Sequence, residues 1–510
     1  MLRTVKTENG WVRGIEAADP RITAFKGIPF AQPPVGANRW RAPQPCMNWA
    51  GVRDAARFGP ISMQWIPGLG DDIYCREWHV DPEIPMSEDC LYLNVWTGAK
   101  NAEEKRPVLV WFFGGGLQCG YPSEMEFDGE RIARRGIVVV TVNYRVGALG
   151  FLTHPQISRE QPDAPANFGN LDQQAGLRWV QRNIAAFGGD PGNVTIAGQS
   201  AGGGSVMSQL ACKANEGLFS KAVVMSAMIF DPYLRREVGR PELLRDAEKK
   251  GEDFFAWLGV KTLEEARALD AVTLQRSYEK YMESHVPFFT VQDGLFCVGD
   301  PIALYVRGDC VDVTMMAGNT GSEFTNSIDA DSEEKLVEEA SRLFGNRAAE
   351  FLAIPESRKK LPGLGYAPVS GIECTVKGVF TAKAKAGKKG YYYCFDPDIP
   401  GWDNPGTFHS SDLWFFFETL AKCWRPFSGR HYDLARQICD YFCNFIRSGD
   451  PNGKDLNGEK LPEWLPWSGE NPCAMRYTGE GACPETGPMP PLKQFLSERI
   501  MERINNLCPQ

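Results

Sequence analysis

Asn193-Val194-Thr195-Ile196-Ala197-Gly198-Gln199-Ser200-Ala201-Gly202-Gly203-Gly204 is the stretch that decides the fold of this chain. Its β-branched residues predict a buried strand, and the residues after it, through Leu210, can continue as a helix. A strand that turns directly into a helix holds one residue in a strained conformation at the apex, and glycines on both sides leave room for the turn. Ser200 is therefore predicted to stand at the apex as an exposed nucleophile, beside the backbone N–H groups of a helix N-terminus.

The composition indicates a globular protein that does not bind nucleic acid. Of its 510 residues, 43% are hydrophobic and 23% are charged, which are the proportions of an ordinary folded chain. The net charge of −9 argues against nucleic acid or an anionic membrane surface as the main partner. Residues 1–8 contain no apolar signal-peptide segment, and the longest apolar runs are too short to span a bilayer. We therefore expect a cytoplasmic protein without a membrane span.

The fifteen cysteines predict neither a disulfide framework nor a metal site. Their number is odd, their spacing does not repeat, and the sequence contains no Cys-x-x-Cys or His-Glu-x-x-His motif. Without a secretion signal, most of them are expected to be reduced and buried. We expect no metal and no cofactor.

Strands and helices are expected to alternate along the chain. Apolar or β-branched runs predict further strands at 107–113, 136–144, 313–317 and 390–395. Residues with helical spacing predict helices at 171–187, 432–446 and 492–504. This alternation is typical of an α/β protein with a large, mostly parallel central sheet covered by helices.

Two charged, amphipathic regions interrupt this pattern. Residues 241–282 and 331–355 are expected to be helical insertions above the sheet, with helices at 242–258, 263–281 and 332–352. The proline-rich residues 25–36 predict an extended loop. Because the chain has no internal repeat and no low-complexity linker, residues 1–510 are interpreted as a single domain.

Chain order narrows the choice of a catalytic base. A serine nucleophile needs a histidine as base and a carboxylate that orients it, and three of the five histidines follow Ser200. His409 lies in a glycine-bearing loop after the strand at 390–395, where a catalytic histidine is expected. We interpret His431 as a surface residue that opens a helix, and His285 as a pocket-wall or core residue.

Glu323 is the candidate acid, because it follows the strand predicted at 313–317. A carboxylate past the C-terminal end of such a strand can reach a histidine above the sheet. The alternative is an ordinary solvated loop residue.

Gly114-Gly115-Gly116 follows a buried strand and is a candidate oxyanion hole. Glycines there allow backbone N–H groups to reach an oxyanion, together with the N–H of Ala201. The alternatives are a simple turn or a phosphate-binding loop, and the second fails because no Gly-Lys-Ser/Thr follows.

These motifs together resemble the type-B carboxylesterase family, which includes cholinesterases and bacterial para-nitrobenzyl esterases. The resemblance runs nearly from end to end, through the loop at 25–36, the Glu-Asp-Cys-Leu-x-Leu-Asn-Val stretch at 88–95, and the nucleophile stretch at 188–203. It implies an α/β-hydrolase fold with a triad of Ser200, Glu323 and His409. It also implies Gly115, Gly116 and Ala201 as the oxyanion donors.

The chain departs from the family pattern around the implied triad. Phe113 stands where histidine is frequent, Gln199 where cholinesterases have glutamate, and Asp412 where glutamate is usual. Gln199, Ser226 and Asp412 are expected to surround the triad, and the changes argue against a cholinesterase. The resemblance also implies an acyl pocket before Asp293-Gly294, whose candidate residues are Ser284, His285, Val286, Phe288 and Phe289. A disulfide between Cys75 and Cys90 occurs in secreted relatives and is left open here.

The resemblance implies a serine carboxylesterase that hydrolyses short-to-medium acyl or aryl esters through an acyl-enzyme. The alternatives on the same scaffold are a feruloyl or other aryl esterase, a lipase or an amidase. A further alternative is a non-catalytic binding scaffold. The expected partner is a small-molecule ester, and the expected assembly is a monomer or a homodimer.

Overall fold

The computed structural model describes residues 1–234, 240–469 and 472–507. The strands within these ranges are β1 (Thr4–Thr7), β2 (Gly10–Arg13), β3 (Ile15–Glu16), β4 (Thr23–Pro29), β5 (Val52–Asp54), β6 (Tyr92–Thr97), β7 (Arg106–Phe112), β8 (Val138–Val142), β9 (Gly189–Gln199), β10 (Lys221–Met225), β11 (Glu242–Leu243), β12 (Val291–Gln292), β13 (Thr314–Thr320), β14 (Thr325–Ile328), β15 (Lys360–Leu361), β16 (Gly365–Ser370), β17 (Gly390–Phe395), β18 (Cys473–Thr478) and β19 (Gly481–Thr486).

The α-helices within the same ranges are α1 (Ile73–Glu77), α2 (Glu130–Arg134), α3 (Gly147–Phe151), α4 (Pro155–Glu160), α5 (Phe168–Asn183), α6 (Ala201–Ala211), α7 (Leu244–Leu258), α8 (Leu263–Ala268), α9 (Ala271–Met282), α10 (Pro301–Arg307), α11 (Glu333–Phe344), α12 (Ala348–Leu352), α13 (Gly371–Lys385), α14 (Leu413–Phe416), α15 (Gly429–Ser448) and α16 (Pro491–Asn506).

An eleven-stranded sheet forms the centre of the molecule, in the order β19-β18-β17-β13-β10-β9-β7-β8-β6-β4-β3. The seven strands from β18 to β8 run parallel to one another. The strands outside them are antiparallel to their neighbours. The prediction of a large, mostly parallel sheet is therefore confirmed. The carboxyl ends of the parallel strands meet at one edge, where a site is expected in an open sheet of this kind.

Both faces of the sheet are covered, which is why its central strands read as continuous apolar runs. Successive side chains of β7 enter opposite layers: Val108, Val110 and Phe112 pack in one core, and Leu109 and Trp111 pack in the other. The first layer includes apolar residues of α5, α6, α13 and α16. The second includes those of α9, α14 and α15.

The structure corrects three expectations about local structure. Residues 25–29 belong to β4 rather than to a loop, because Gly27 adopts a φ of +70° at a register shift that lets the strand pair with β6. The helix expected over 332–352 is two helices, α11 and α12, because Gly345 adopts a φ of +54° and begins a 3-10 turn at Gly345–Arg347. The helix expected over 263–281 is two helices, since Leu269 is extended and Asp270 caps the start of α9.

The two insertions contact different parts of the molecule. The side chain of Gln118, just after the glycine triplet, accepts a hydrogen bond from Tyr278 of α9 (2.8 Å) and donates one to the carbonyl of Phe288 (2.8 Å). The first insertion is thus tied to the candidate oxyanion loop. The second insertion packs on the C-terminal helix α16, where Phe344 contacts Phe495.

Candidate active site

Ser200 lies at the apex between β9 and α6 in a conformation that non-glycine residues rarely adopt, with φ +56° and ψ −126°. Its backbone N–H donates to the carbonyl of Met225 (2.9 Å). The flanking glycines are required by close backbone contact. A Cβ atom at Gly202 would lie 2.1 Å from the carbonyl oxygen of Phe112, and one at Gly198 would lie 2.4 Å from the backbone of Gly202. The backbone is packed so closely where β9 turns into α6 that a side chain would not fit at Gly198 or Gly202. This close packing holds Ser200 at the apex of the turn.

His409 and Glu323 form a buried pair. Nδ1 of His409 lies 2.7 Å from Oε2 of Glu323, and the other carboxylate oxygen accepts the backbone N–H of Thr320 at 3.2 Å. Burial acts to raise the pKa of Glu323, but the hydrogen bond and charge of His409, with the backbone hydrogen bond from Thr320, outweigh burial and leave that pKa lowered. Glu323 is therefore held as a carboxylate against the imidazole.

The second ring nitrogen of His409 faces Gln199. Nε2 of the imidazole lies 3.2 Å from the amide nitrogen of Gln199. An amide nitrogen can only donate, so Nε2 accepts and the ring proton resides on Nδ1, facing Glu323. This is the tautomer in which Nε2 can act as a base.

The glycine triplet forms a tight loop before Cys119. Gly115 and Gly116 have φ values of +98° and +62°, and the carbonyl of Gly115 accepts the N–H groups of Gln118 and Cys119. A Cβ atom at Gly115 would lie 2.2 Å from the carbonyl oxygen of Cys119. The buried side chain of Gln64 holds Gly120 through both its backbone N–H (2.8 Å) and its carbonyl (3.1 Å). The loop is therefore fixed on both sides.

Phe113, the residue before the triplet, packs its ring on Tyr144 at 4.1 Å between centroids. The Tyr144 hydroxyl donates to the carbonyl of Phe113 (2.7 Å). With Phe113 where histidine is frequent, the loop is thus anchored by the aromatic pair of Phe113 and Tyr144.

The model of the carboxylesterase family matches residues 2–360 and 370–487. The chain belongs to the carboxylesterase family.

Members of this family resemble the chain over nearly its whole length. A cocaine esterase of Oryctolagus cuniculus is 32% identical over 489 residues, covering 88% of each chain. A cholinesterase of Mus musculus is 30% identical over 500 residues, covering 90% of this chain and 81% of its own. Among solved structures, a PNB esterase is 28% identical with a TM-score of 0.75, covering 97% of this chain and 100% of its own. A carboxylesterase of Geobacillus stearothermophilus is 27% identical with a TM-score of 0.71, covering 96% and 99%.

Family membership defines the fold and the class of chemistry. The chain has the α/β-hydrolase fold, and it is a carboxylic ester hydrolase. Its substrate is a small molecule. In the described parts of the chain, no helix combines the length and the apolar character that crossing a membrane requires.

Two further residues expected around the triad are buried near it. Ser226 has a φ of +49° and donates its backbone N–H to Gly318 (2.8 Å). Asp412 accepts a hydrogen bond from the hydroxyl of Tyr393 (2.9 Å). Burial, reinforced by the charge of Glu323, raises the pKa of Asp412 to about 7 against the effect of the Tyr393 hydrogen bond.

The candidate acyl-pocket residues divide by exposure. Ser284, His285, Val286 and Phe289 are exposed, whereas Phe288 is buried. The backbone N–H of Phe288 donates to the hydroxyl of Tyr278 (3.0 Å), and its carbonyl binds Gln118. Phe288 is therefore the candidate of this group that is connected to the glycine loop.

The surface position expected for His431 was wrong, as was a core position for His285, whose place in a pocket wall stays a prediction. His285 is exposed and stacks on Tyr281 at 4.0 Å, because the segment after α9 lies on the surface. His431 is buried, and its Nδ1 accepts the backbone N–H of Ser428 (2.9 Å). His431 thus caps the start of α15 rather than facing solvent.

Several features at the site were not recognised from the sequence. Phe324 stacks on the ring of His409 at 4.3 Å, and its position directly after Glu323 was the available signal. Trp78 stacks on Phe408 (6.3 Å), the residue before His409, and no local pattern indicates that contact. Two cavities of ~420 and ~350 Å³ lie elsewhere and are not lined by Ser200, Glu323 or His409.

The cysteines within the described ranges are all free thiols, Cys75 and Cys90 among them. The disulfide left open by the sequence is therefore not formed here. Burial raises the pKa of the Cys90 thiol, which makes it an unreactive core residue.

Proposed function

We propose that this chain is a serine carboxylesterase that hydrolyses short-to-medium acyl or aryl esters through Ser200, His409 and Glu323. The observation that carries the proposal is the buried 2.7 Å contact between Nδ1 of His409 and Glu323. The amide nitrogen of Gln199 lies 3.2 Å from Nε2 of the same imidazole, and the next residue along the chain is Ser200, held at φ +56° at the start of a helix. A base, its orienting acid and a presented nucleophile are the components that acyl transfer requires.

The first half of the reaction forms an acyl-enzyme. The Ser200 hydroxyl replaces the amide of Gln199 at Nε2 of His409, which then takes the hydroxyl proton as Oγ attacks the ester carbonyl. The carbonyl electrons move to its oxygen, where the backbone N–H groups of Gly115, Gly116 and Ala201 stabilise the negative charge. The imidazolium returns its proton to the alcohol oxygen as the C–O bond breaks.

The second half of the reaction repeats these steps with water. His409 takes a proton from water, which attacks the acyl-enzyme, and then returns it to Ser200 as the acid leaves. Glu323 remains a carboxylate throughout, because its lowered pKa keeps a negative charge against the imidazolium in each half-reaction.

The proposed preference for short-to-medium acyl or aryl esters is supported by the aromatic residues around the candidate site. Phe288 contacts the glycine loop through Gln118, and Phe324 covers the imidazole. The solved relatives include proteins named PNB esterase, a name that describes activity on an ester. Ser284, His285, Val286 and Phe289 remain proposed members of the acyl site.

The test is hydrolysis of p-nitrophenyl esters from acetate to palmitate by the native chain, Ser200→Ala and Ser208→Ala. Ser208 is the matched control, because it lies two turns further along α6 and its hydroxyl donates to a carbonyl of the same helix, that of Gly204 (3.0 Å). We expect fast turnover of short chains, a loss of roughly 10⁶-fold in kcat for Ser200→Ala, and near-native turnover for Ser208→Ala.

Other outcomes would redirect the proposal. A preference for long chains indicates a lipase, and turnover of anilides at rates similar to esters indicates an amidase. Substantial activity in Ser200→Ala would show that the nucleophile is another residue. A folded native chain without turnover would favour a binding scaffold.

A further inference from the structure

Phe324 is a large aromatic residue whose position core packing does not explain. It is 54% exposed, and it belongs to neither of the two large apolar cores of the described chain. Its ring nevertheless makes one close contact, with the imidazole of His409, at 4.3 Å between centroids and 30° between planes. His409 is only 5% exposed, and the Phe324 ring covers one face of its imidazole.

The backbone holds Phe324 in this place. Glu323, on one side, binds Nδ1 of the same imidazole. Thr325, on the other side, begins β14 and pairs with Ser370 of β16, and its hydroxyl donates to the carbonyl of Glu323 (3.1 Å). Two successive residues thus hold His409, one at its ring nitrogen and one on its ring face.

We propose that Phe324 is a positioning residue that stabilises the imidazolium of His409 through its ring face, and this rests on the proposed function. The face of an aromatic ring carries partial negative charge and attracts a cation more strongly than a neutral group. His409 is neutral before the attack of Ser200 and cationic in both tetrahedral states. The stack is therefore stronger in the transition state than in the ground state, and such a difference raises kcat rather than substrate affinity.

The decisive variants separate the charge of the ring face from its bulk. Phe324→Leu keeps an apolar side chain but removes the aromatic face, whereas Phe324→Tyr and Phe324→Trp keep it. Phe58→Leu is the matched control, because Phe58 is also a partly exposed phenylalanine (39%) and its ring contacts another aromatic ring, that of Trp96, at 6.3 Å and a tilt of 46°. Glu323 and Asp412 are the titratable groups that face His409. Both are unchanged in all four variants.

The readouts are kcat, KM and the pH profile of kcat/KM with p-nitrophenyl acetate and butyrate. For Phe324→Leu we expect kcat to fall about 2- to 30-fold with little change in KM. The acid limb should move to lower pH, because the imidazolium loses a stabilising contact. Phe324→Tyr, Phe324→Trp and Phe58→Leu should keep the native kcat and the native acid limb.

Three results would overturn the inference. They are an unchanged kcat and acid limb in Phe324→Leu, a change confined to KM, and an equal loss in Phe324→Tyr and Phe324→Leu. The melting temperature of each variant identifies a loss that arises from unfolding. Absence of turnover in the native chain, or activity in Ser200→Ala, would instead contradict the proposed function.

Discussion

His409 is restrained on three sides, and each restraint comes from a different side chain. Glu323 binds Nδ1, Gln199 binds Nε2 and Phe324 covers the ring face. The amide of Gln199 selects the tautomer in which Nε2 carries a lone pair, the form that the proposed mechanism requires. A glutamate at this position would favour a proton on Nε2, because a carboxylate can only accept a hydrogen bond from Nε2–H.

Gln199→Glu should therefore move the acid limb of kcat/KM to higher pH, by about one unit. The added carboxylate favours the imidazolium, which cannot accept the proton of Ser200. Activity at pH 6 should fall more than activity at pH 8, measured with p-nitrophenyl acetate. A parallel loss at all pH values would show that Gln199 acts on packing and not on the protonation of His409.

Two neighbouring glycines of α6 should respond in opposite ways to the same substitution. Gly202→Ala places a methyl group 2.1 Å from the carbonyl oxygen of Phe112, so it should cost about 3 kcal/mol or more of unfolding free energy and displace Ser200. Gly204→Ala meets no atom within 4 Å and should stabilise the helix by about 0.5–1 kcal/mol. Melting temperatures of both variants check this, and equal effects would contradict the close contact at the turn.

At the scale of elements, a buried acidic cluster joins the end of the glycine loop to α1. Glu124 accepts the backbone N–H of Tyr121 (2.9 Å) and lies 3.2 Å from Nε2 of His79. Beside it lies the fully buried Glu126, to whose carboxyl oxygens no group of the described residues donates a hydrogen bond. Burial and the charge of Glu124 raise the pKa of Glu126 well above its ordinary value, so Glu126 is a neutral acid beside the Glu124 carboxylate.

This cluster connects to the loop that carries His409. Trp78, next to His79, stacks on Phe408. Glu77 of α1 binds Arg425 (2.6 Å), whose guanidinium lies over the ring of Phe408 at 5.4 Å. The residues in and next to α1 therefore support the loop that carries His409 through their contacts with Phe408 and Arg425.

Glu126→Gln should stabilise the protein, increasingly so as pH rises above about 4.5. Above that value the glutamate ionises in the unfolded chain but stays protonated in the folded one, so native stability falls as pH rises towards the raised pKa. The amide introduced by the substitution never ionises, so the gain in stability should grow as pH rises above about 4.5 and vanish near pH 4.

The measurement for Glu126→Gln is the melting temperature of the variant and the native chain from pH 4 to pH 9. Glu83→Gln is the matched control, because Glu83 is exposed. A difference that does not change with pH, or one shared with the control, would contradict a buried neutral Glu126. His79 makes the same contribution to the pH dependence of stability in the native chain and in the variant. Burial lowers the pKa of His79, but Glu124 outweighs burial and leaves that pKa raised. Native stability is therefore lost as pH rises through the pKa of His79.

At the scale of the whole molecule, the site depends on residues that the chain brings together from distant positions. Ser200, Glu323 and His409 follow different strands, β9, β13 and β17, which are close in the sheet because their order is β17-β13-β10-β9. Both apolar cores contain residues from the first hundred positions and from beyond position 470. That residues 1–510 form one domain remains a prediction, which this arrangement favours.

The sequence was most informative where function depends on local geometry. The turn around Ser200 needs glycines at fixed spacing, so the motif itself predicts the strand, the turn and the helix. Glu323 and His409 could be chosen because each follows a recognisable strand, and strand ends share one edge of a parallel sheet. Where helices depend on tertiary packing, prediction was weaker: the break at Leu269 and the burial of His431 depend on partners far along the chain.

By itself, the sequence determined the fold class, through short motifs and hydrophobic periodicity, and the family, through its resemblance to known carboxylesterases. It also predicted the residues proposed to carry the chemistry. Only the tertiary structure decided how those residues are held. The amide of Gln199 at Nε2, the ring of Phe324 on the imidazole and the neutral acid at Glu126 arise from contacts between elements that no local pattern encodes. The physical reason is that hydrogen bonding, stacking and burial depend on distance in space, whereas a motif records distance along the chain.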